Sequence, residues 1–188
     1  TTGQATNMSD SVVFTFGRLN PPTVGHAKLI QETISQAKMQ AADHVIYLSQ
    51  TQKAPKDPLP WEYKVQLVNS MFPGINVSKD ASIQSPFHAL EALASDYDNV
   101  TMVVGDDRVE EFSTRMAPYA EQWGVENFQV VSAGTRDPDA DGVEGMSASK
   151  ARQFAADGDY DSFAQSLSNN LSDNVKQDVY QKVRSSMG

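Results

Sequence analysis

Three observations predict an α/β fold, doubly wound around a mainly parallel five-stranded sheet and closed by C-terminal helices. Short, β-rich apolar runs alternate with helix-patterned segments along the whole 188-residue chain, the order expected of βαβ units. The runs are apolar at consecutive positions, which suits strands covered on both faces. The two clearest runs close on glycine, Gly17 and Gly105, where a strand turns into a following loop.

Taken in order, Val12-Val13-Phe14-Thr15-Phe16 reads as the first strand. Pro21 and Pro22 interrupt regular structure, and a helix follows from Thr23, its plausible N-cap, on the spacing of Val24, Leu29, Ile30, Ile34 and Ala37. Val45 to Leu48 is the second strand. The loop from Ser49 to Pro60 is polar, with three prolines and two lysines. Trp61 to Phe72 is helical by the spacing of Tyr63, Val65, Leu67, Val68 and Met71. Ile75 to Val77 reads as a short third strand and Pro86 to Ser95 as a helix. Val100 to Val104 is the fourth strand, followed by a helix from about Val109 to Ala120 and a fifth strand, Phe128 to Ser132. An acidic, glycine-punctuated loop runs from Ala133 to Gly145, and from Ser147 a helical tail continues with breaks near Gly158 and Asn169. Residues 12–188 are expected to form one domain. Residues 1–11 are expected to be a disordered leader or tag remnant, with Met8 as the native start.

Composition excludes several function classes. Hydrophobic residues at 39% and charged residues at 21% describe an ordinary globular chain. No apolar run approaches the roughly 20 residues that span a bilayer, so no membrane partner is expected and a cytoplasmic location is the default. Cysteine is absent, which removes disulfides, thiolate metal sites and cysteine nucleophiles. A net charge of −9 argues against nucleic-acid binding, which needs basic patches. It leaves room for a mononucleotide site, where a few local cations and a helix N-terminus suffice.

The first chemical motif is Gly17-Arg18-Leu19-Asn20-Pro21-Pro22-Thr23-Val24-Gly25-His26. It carries a strand through a glycine and two prolines into a helix start, whose backbone amides and positive dipole end can face an anion. Gly25 permits close approach of backbone and ligand, and His26 lies in the first helical turn. The second motif is Gly145-Met146-Ser147-Ala148-Ser149-Lys150-Ala151-Arg152. Ser147 is a suitable N-cap, and Ser149 and Arg152, three apart, share one helix face. A hydroxyl and a guanidinium at a helix start suit phosphate oxygens. A third feature, Gly105-Asp106-Asp107-Arg108, closes the fourth strand, and a turn capping the next helix is an equal reading of it. Lys53 and Lys56 lie in a loop expected at the same edge of the sheet, with Trp61, Arg18 and Arg136 as lesser candidates. Asp137 to Gly142 begins like a calcium loop, but its twelfth position, which needs a glutamate, is Ala148.

The first motif resembles the nucleotidyltransferase signature Gly-x-Phe-(Asp/Asn)-Pro-x-(His/Thr)-x-Gly-His, with Thr23 at the variable catalytic position and Leu19 in place of the aromatic residue. The second resembles the family's Ile-Ser-Ser-Thr-x-x-Arg motif, departing at Met146, Ala148 and Ser149. Gly105 and Asp107 are similar to its Gly-x-Asp turn beside base and ribose. The resemblance implies a Rossmann-like nucleotidyltransferase fold and in-line attack by an acceptor oxygen on the α-phosphorus of a nucleoside triphosphate, with pyrophosphate released. It implies catalytic roles for His26, Thr23 and Arg152. Nucleotide contacts are implied at Phe16, Gly17, Gly25, His26, Lys53, Gly105, Asp107, Ser147, Ser149 and Arg152. Mg²⁺ is expected to bridge phosphate oxygens, without a protein metal site.

ATP is favoured as donor, because cytidylyltransferases resembling this family carry an arginine where this chain has Gly142; CTP is the alternative. The partners implied are the triphosphate and a small, phosphorylated acceptor that no readable pattern identifies. The pairing of Asn20-Pro21-Pro22-Thr23 with the segment Val130 to Lys150 is similar to nucleotidyltransferase-like proteins of large tailed bacteriophages, which would put the protein in a host cytoplasm. A rival reading is a non-catalytic nucleotide-binding or virion-associated protein retaining the fold. An aminoacyl-tRNA-synthetase-like activity is disfavoured, since the second motif lacks Lys-Met-Ser-Lys-Ser.

Overall fold

A computed structural model describes residues 10–17, 19, 21–50, 58–133, 148–167 and 170–186. These residues cluster into two compact units, one of residues 10–16, 28–47 and 80–133, the other of residues 17–27, 48–79 and 148–186 within the described set.

The first unit is built on a parallel four-stranded sheet of β1 (Ser11–Gly17), β2 (Asp43–Leu48), β3 (Asn99–Val104) and β4 (Asn127–Ser132), in the order β2-β1-β3-β4. Val12 lies opposite Val100, and Val100 opposite Phe128. The central strands bury residues consecutively, Val12 to Thr15 and Val100 to Val104, as a sheet covered on both faces requires. On one face Val13 and Val103 pack against Leu29 and Ala37 of α1 (Ala27–Gln40). On the other, Val12, Phe14, Val100 and Met102 pack against Leu90 of α3 (Pro86–Ala94) and Met116 of α4 (Val109–Gln122). Helices thus lie on both faces, the doubly wound arrangement.

The sequence predicted five strands, and the described residues contain four. The missing one is Ile75 to Val77. Both apolar residues are buried, but Val77 makes only an isolated bridge. Gly74, at φ +87, turns the chain immediately before it, and three residues are too few to build a ladder. From β1 the chain goes outward to β2, then crosses back to β3. The order therefore reverses at β1, and in such sheets ligands sit beyond the carboxyl ends of the strands at that switch point.

The second unit is helical. It contains α2 (Trp61–Met71), α5 (Ala148–Asp157), α6 (Tyr160–Gln165) and α7 (Asp173–Ser186). Leu67, Met71, Ala151, Ala155, Phe163, Leu167, Val179 and Val183 form its core. Both breaks expected in the helical tail are present. Gly158 ends α5 at φ +78, where a Cβ would meet an Arg184 guanidinium nitrogen at 2.8 Å. That nitrogen donates to the Ala155 carbonyl at 2.9 Å, so a cation closes the helix C-terminus. Asp159 then caps α6, accepting from the Ser162 amide at 3.1 Å, and hydrogen bonds from Ser162 hold its carboxyl below the usual range. Among the described residues no helix is long and apolar enough to cross a membrane.

Candidate functional site

β1 ends at Gly17, and a Cβ there would meet Leu19 Cδ1 at 2.5 Å. Leu19 is 4% exposed and sits at φ 45, a region that non-glycine residues enter only where packing enforces it. The glycine is therefore needed for a close approach, and the leucine folds over it. The Gly17 carbonyl accepts from the Ser49 amide at 2.9 Å, joining the carboxyl ends of β1 and β2.

Thr23 is extended (φ −124, ψ 170) and caps a 3-10 turn, Val24–His26, that runs directly into α1. The His26 ring folds back, so that the Thr23 amide donates to Nδ1 at 2.9 Å. The Thr23 hydroxyl lies 3.3 Å from the same nitrogen. An imidazole takes the place that a glutamate holds in a capping box. Because an N–H points at Nδ1, that nitrogen is the acceptor, and the ring proton resides on Nε2.

The turn departs from the expected open anion cradle. The Val24 amide donates to the Ser166 carbonyl at 2.8 Å and the His26 amide to the Thr23 carbonyl at 3.0 Å. The Ala27 amide returns to the Val24 carbonyl. With the Thr23 amide on the imidazole, these backbone donors are all engaged inside the protein.

Ser149 and Arg152 lie in the first two turns of α5, and the guanidinium donates to the Ser149 hydroxyl at 3.2 Å. Ser149 is exposed and Arg152 half-buried. Thr23, His26, Ser149 and Arg152 all belong to the second compact unit. The other sequence-predicted residues distribute differently. Phe16 packs on the core of the first unit. Gly105 caps the 3-10 turn Asp106–Arg108, its carbonyl accepting from the Arg108 amide at 2.9 Å, and Asp107 lies within that turn; both belong to the first unit. Gly25 lies within the Val24–His26 turn. Lys53 and Ser147, together with Lys56, Arg18, Arg136 and Gly142, lie outside the described residues.

One residue was missed by sequence reasoning. Lys64 is 0% exposed, and its ammonium donates to the Ser49 carbonyl at 2.9 Å and the Ser49 hydroxyl at 3.2 Å. The signal was available, since Lys64 lies four and seven residues before Val68 and Met71 on the buried stripe of α2. A cation on an apolar stripe is a reason to look for a buried polar partner.

The fold defines the chain as an α/β protein of the doubly wound, parallel-sheet class. It is similar to the crystal structure of Thermotoga maritima TmcAL bound with alpha-thio ATP, with a TM-score of 0.51 at 10% sequence identity. The match covers 92% of this chain and 55% of that one, so this chain spans about half the length of its neighbour. At that identity the likeness is one of fold. The chain matches no protein-family model and no curated protein.

Proposed function

We propose that this protein is a nucleotidyltransferase that moves a nucleoside monophosphate, AMP in preference to CMP, from a triphosphate to a small phosphorylated acceptor. The observation that carries the reading is the imidazole lock: the Thr23 amide on Nδ1 at 2.9 Å, which makes Nε2 a proton donor. It lies in the same compact unit as the paired Ser149 and Arg152. The motif resemblance around these four residues and the fold likeness to a structure holding an ATP analogue support the same conclusion.

In the proposed step an acceptor oxygen attacks the α-phosphorus. The new P–O bond forms as the bond to the β-phosphate oxygen breaks, and pyrophosphate departs with the electron pair. A phosphate acceptor is already ionised and needs no general base, so catalysis is positioning plus charge stabilisation. His26 Nε2–H donates to the α-phosphate as negative charge builds there. Thr23, 0% exposed, acts through the ring by orienting it. Arg152, steadied by Ser149, holds the leaving pyrophosphate. Among the described residues no group of three or more acidic or histidine side chains forms a metal cage. Mg²⁺ would be supplied with the nucleotide and would help to neutralise charge on its phosphates.

The test is pyrophosphate release with each of the four nucleoside triphosphates, Mg²⁺ and a panel of phosphorylated acceptors. His26→Ala should reduce kcat by about 10²-fold or more, the scale set by losing one preorganised donor. Turnover unchanged in that variant overturns the mechanism. ATP binding without release for any acceptor would instead favour a nucleotide-binding protein that does no transfer.

A further inference from the structure

We infer that Lys64 is a positioning residue for this site, its buried ammonium clamping the carboxyl end of β2 to that of β1 and so fixing the turn that presents His26. Burying a lysine ammonium is expensive, and an apolar side chain of similar volume packs as well. Lys64 nevertheless occupies the buried stripe of α2 at 0% exposure. Two of its hydrogen bonds go to a single residue, at 2.9 Å to the Ser49 carbonyl and 3.2 Å to its hydroxyl. Ser49 is the first residue beyond β2, and its amide donates at 2.9 Å to the carbonyl of Gly17, the last residue of β1.

The result is a continuous relay from ammonium to Ser49 to Gly17. Leu19 lies over Gly17, and farther along the chain the Thr23 amide holds the imidazole. On its other side the turn is hooked by the Ser166 carbonyl on the Val24 amide at 2.8 Å. Ser166 thus holds the turn directly, while Lys64 holds, through Ser49, the end of the strand that leads into it. Lys64 at 0% and Ser49 at 7% exposure are too enclosed to meet a ligand, which is why the role is positioning and not contact. Its catalytic consequence rests on the proposed transfer activity; its structural consequence does not.

Lys64→Met tests the two separately. In the protein without nucleotide, the ring nitrogen resonances of His26 report the tautomer, and only three histidines need assignment. Wild type should show the Nε2–H form alone. Lys64→Met should show mixed tautomers and faster amide exchange at Ser49 and Thr23. Thermal stability should change little, because an apolar residue relieves the buried charge. In turnover, kcat should fall by about tenfold to a hundredfold, the scale of a misplacement transmitted to reacting groups, with KM for the triphosphate changed less. Unchanged His26 resonances and exchange overturn the inference whatever turnover does. Altered resonances in a protein whose wild type releases no pyrophosphate sustain the clamp and sink the transferase reading instead. Should Lys64→Met fail to fold, Ser49→Ala, which removes only the hydroxyl contact, is expected to shift the same resonances less; no shift there overturns the inference.

Discussion

The two compact units bury polar groups in different ways. In the first, the buried polar side chains are Thr15, Thr33 and Thr101, and they are scattered through the scaffold. Thr15 donates to the Val103 carbonyl at 2.7 Å, Thr33 back to Leu29 at 2.9 Å, and Thr101 lies 3.4 Å from Gln40. Each joins neighbouring strands or turns, or a strand to the adjoining helix. In the second unit the buried polar residues are Thr23, Ser49, Lys64 and Ser166. Thr23 holds His26, Ser166 takes the Val24 amide, and Lys64 and Ser49 grip Gly17. Thr23 and Ser166 hold the turn itself, and Lys64, through Ser49, holds Gly17 at the end of the strand that leads to it. Polar burial is unfavourable unless every partner is met, so concentrating it at one place marks where the fold uses stability to fix geometry.

The largest effects should come from emptying the two cores, and the comparison is sharpest where the stability losses match. Leu90→Ala in the first core and Phe163→Ala in the second each remove a side chain at 0% exposure. Both should cost about 3–5 kcal/mol, a fall in Tm of roughly 6–20 °C at this size. Their effects on turnover should diverge. Leu90→Ala should lose only its unfolded fraction. Phe163→Ala should also slow the proposed reaction in the folded protein, because the cavity lets α6 shift, and with it the residue-163 carbonyl that accepts the Ser166 amide at 3.0 Å and the Ser166 hydroxyl at 2.5 Å, and Ser166 holds the His26 turn. Thermal denaturation and turnover well below Tm check this. Equal specific activity in the two variants would remove the distinction between scaffold and site.

Threonine-to-valine pairs give a smaller and cleaner contrast. Thr15→Val leaves the Val103 carbonyl one donor short and should cost about 1 kcal/mol without altering kcat. Thr23→Val leaves the amide bond to Nδ1 in place and removes only the hydroxyl at 3.3 Å. It should lower kcat several-fold with Tm nearly unchanged. A kcat equal to wild type would confine Thr23 to its backbone role.

What the sequence disclosed follows the same division. The strands of the first unit are legible because burial on both faces leaves uninterrupted apolar runs, and Gly17 and Gly105 mark where two of them end. Ser149 and Arg152 are legible as a pair because three residues on a helix is a local distance. The exception within reach of local reading is Ile75 to Val77, an apolar run too short to pair. The bonds that hold the His26 turn and the strand end before it were hidden for a different reason. The Val24 amide meets a carbonyl at Ser166 and the Lys64 ammonium a carbonyl at Ser49, and no periodicity encodes a backbone partner so far along the chain. The sequence expectation was of backbone amides open to an anion at this helix start; in the structure the Thr23 amide is taken by the His26 ring and the Val24 amide by the Ser166 carbonyl.

The last contrast, whose Ala41 arm carries the smallest stability change predicted after Thr23→Val, concerns two non-glycine residues in the left-handed region, Ala41 in the first unit at φ 52 and Leu19 in the second at φ 45. Ala41 follows α1, where the Ala42 amide reaches back to the Ala37 carbonyl at 2.8 Å, the closure that glycine ordinarily makes. It is exposed, so its side chain contributes little packing. The left-handed conformation costs an L-residue about 1–2 kcal/mol, while glycine's freedom in the unfolded chain takes back about 0.4–1 kcal/mol. Ala41→Gly should therefore stabilise by about 0.5–1 kcal/mol, raising Tm by roughly 1–4 °C with kcat untouched. Leu19→Gly relieves the same backbone strain but removes a side chain at 4% exposure that closes over Gly17. Here the lost burial outweighs the relief, and the net change should be destabilising by about 1–3 kcal/mol, with a fall in kcat as the turn loosens. If Leu19→Gly instead gained stability and kept its rate, the strain in the second unit would be incidental, as it is at Ala41, and not part of how the site is held.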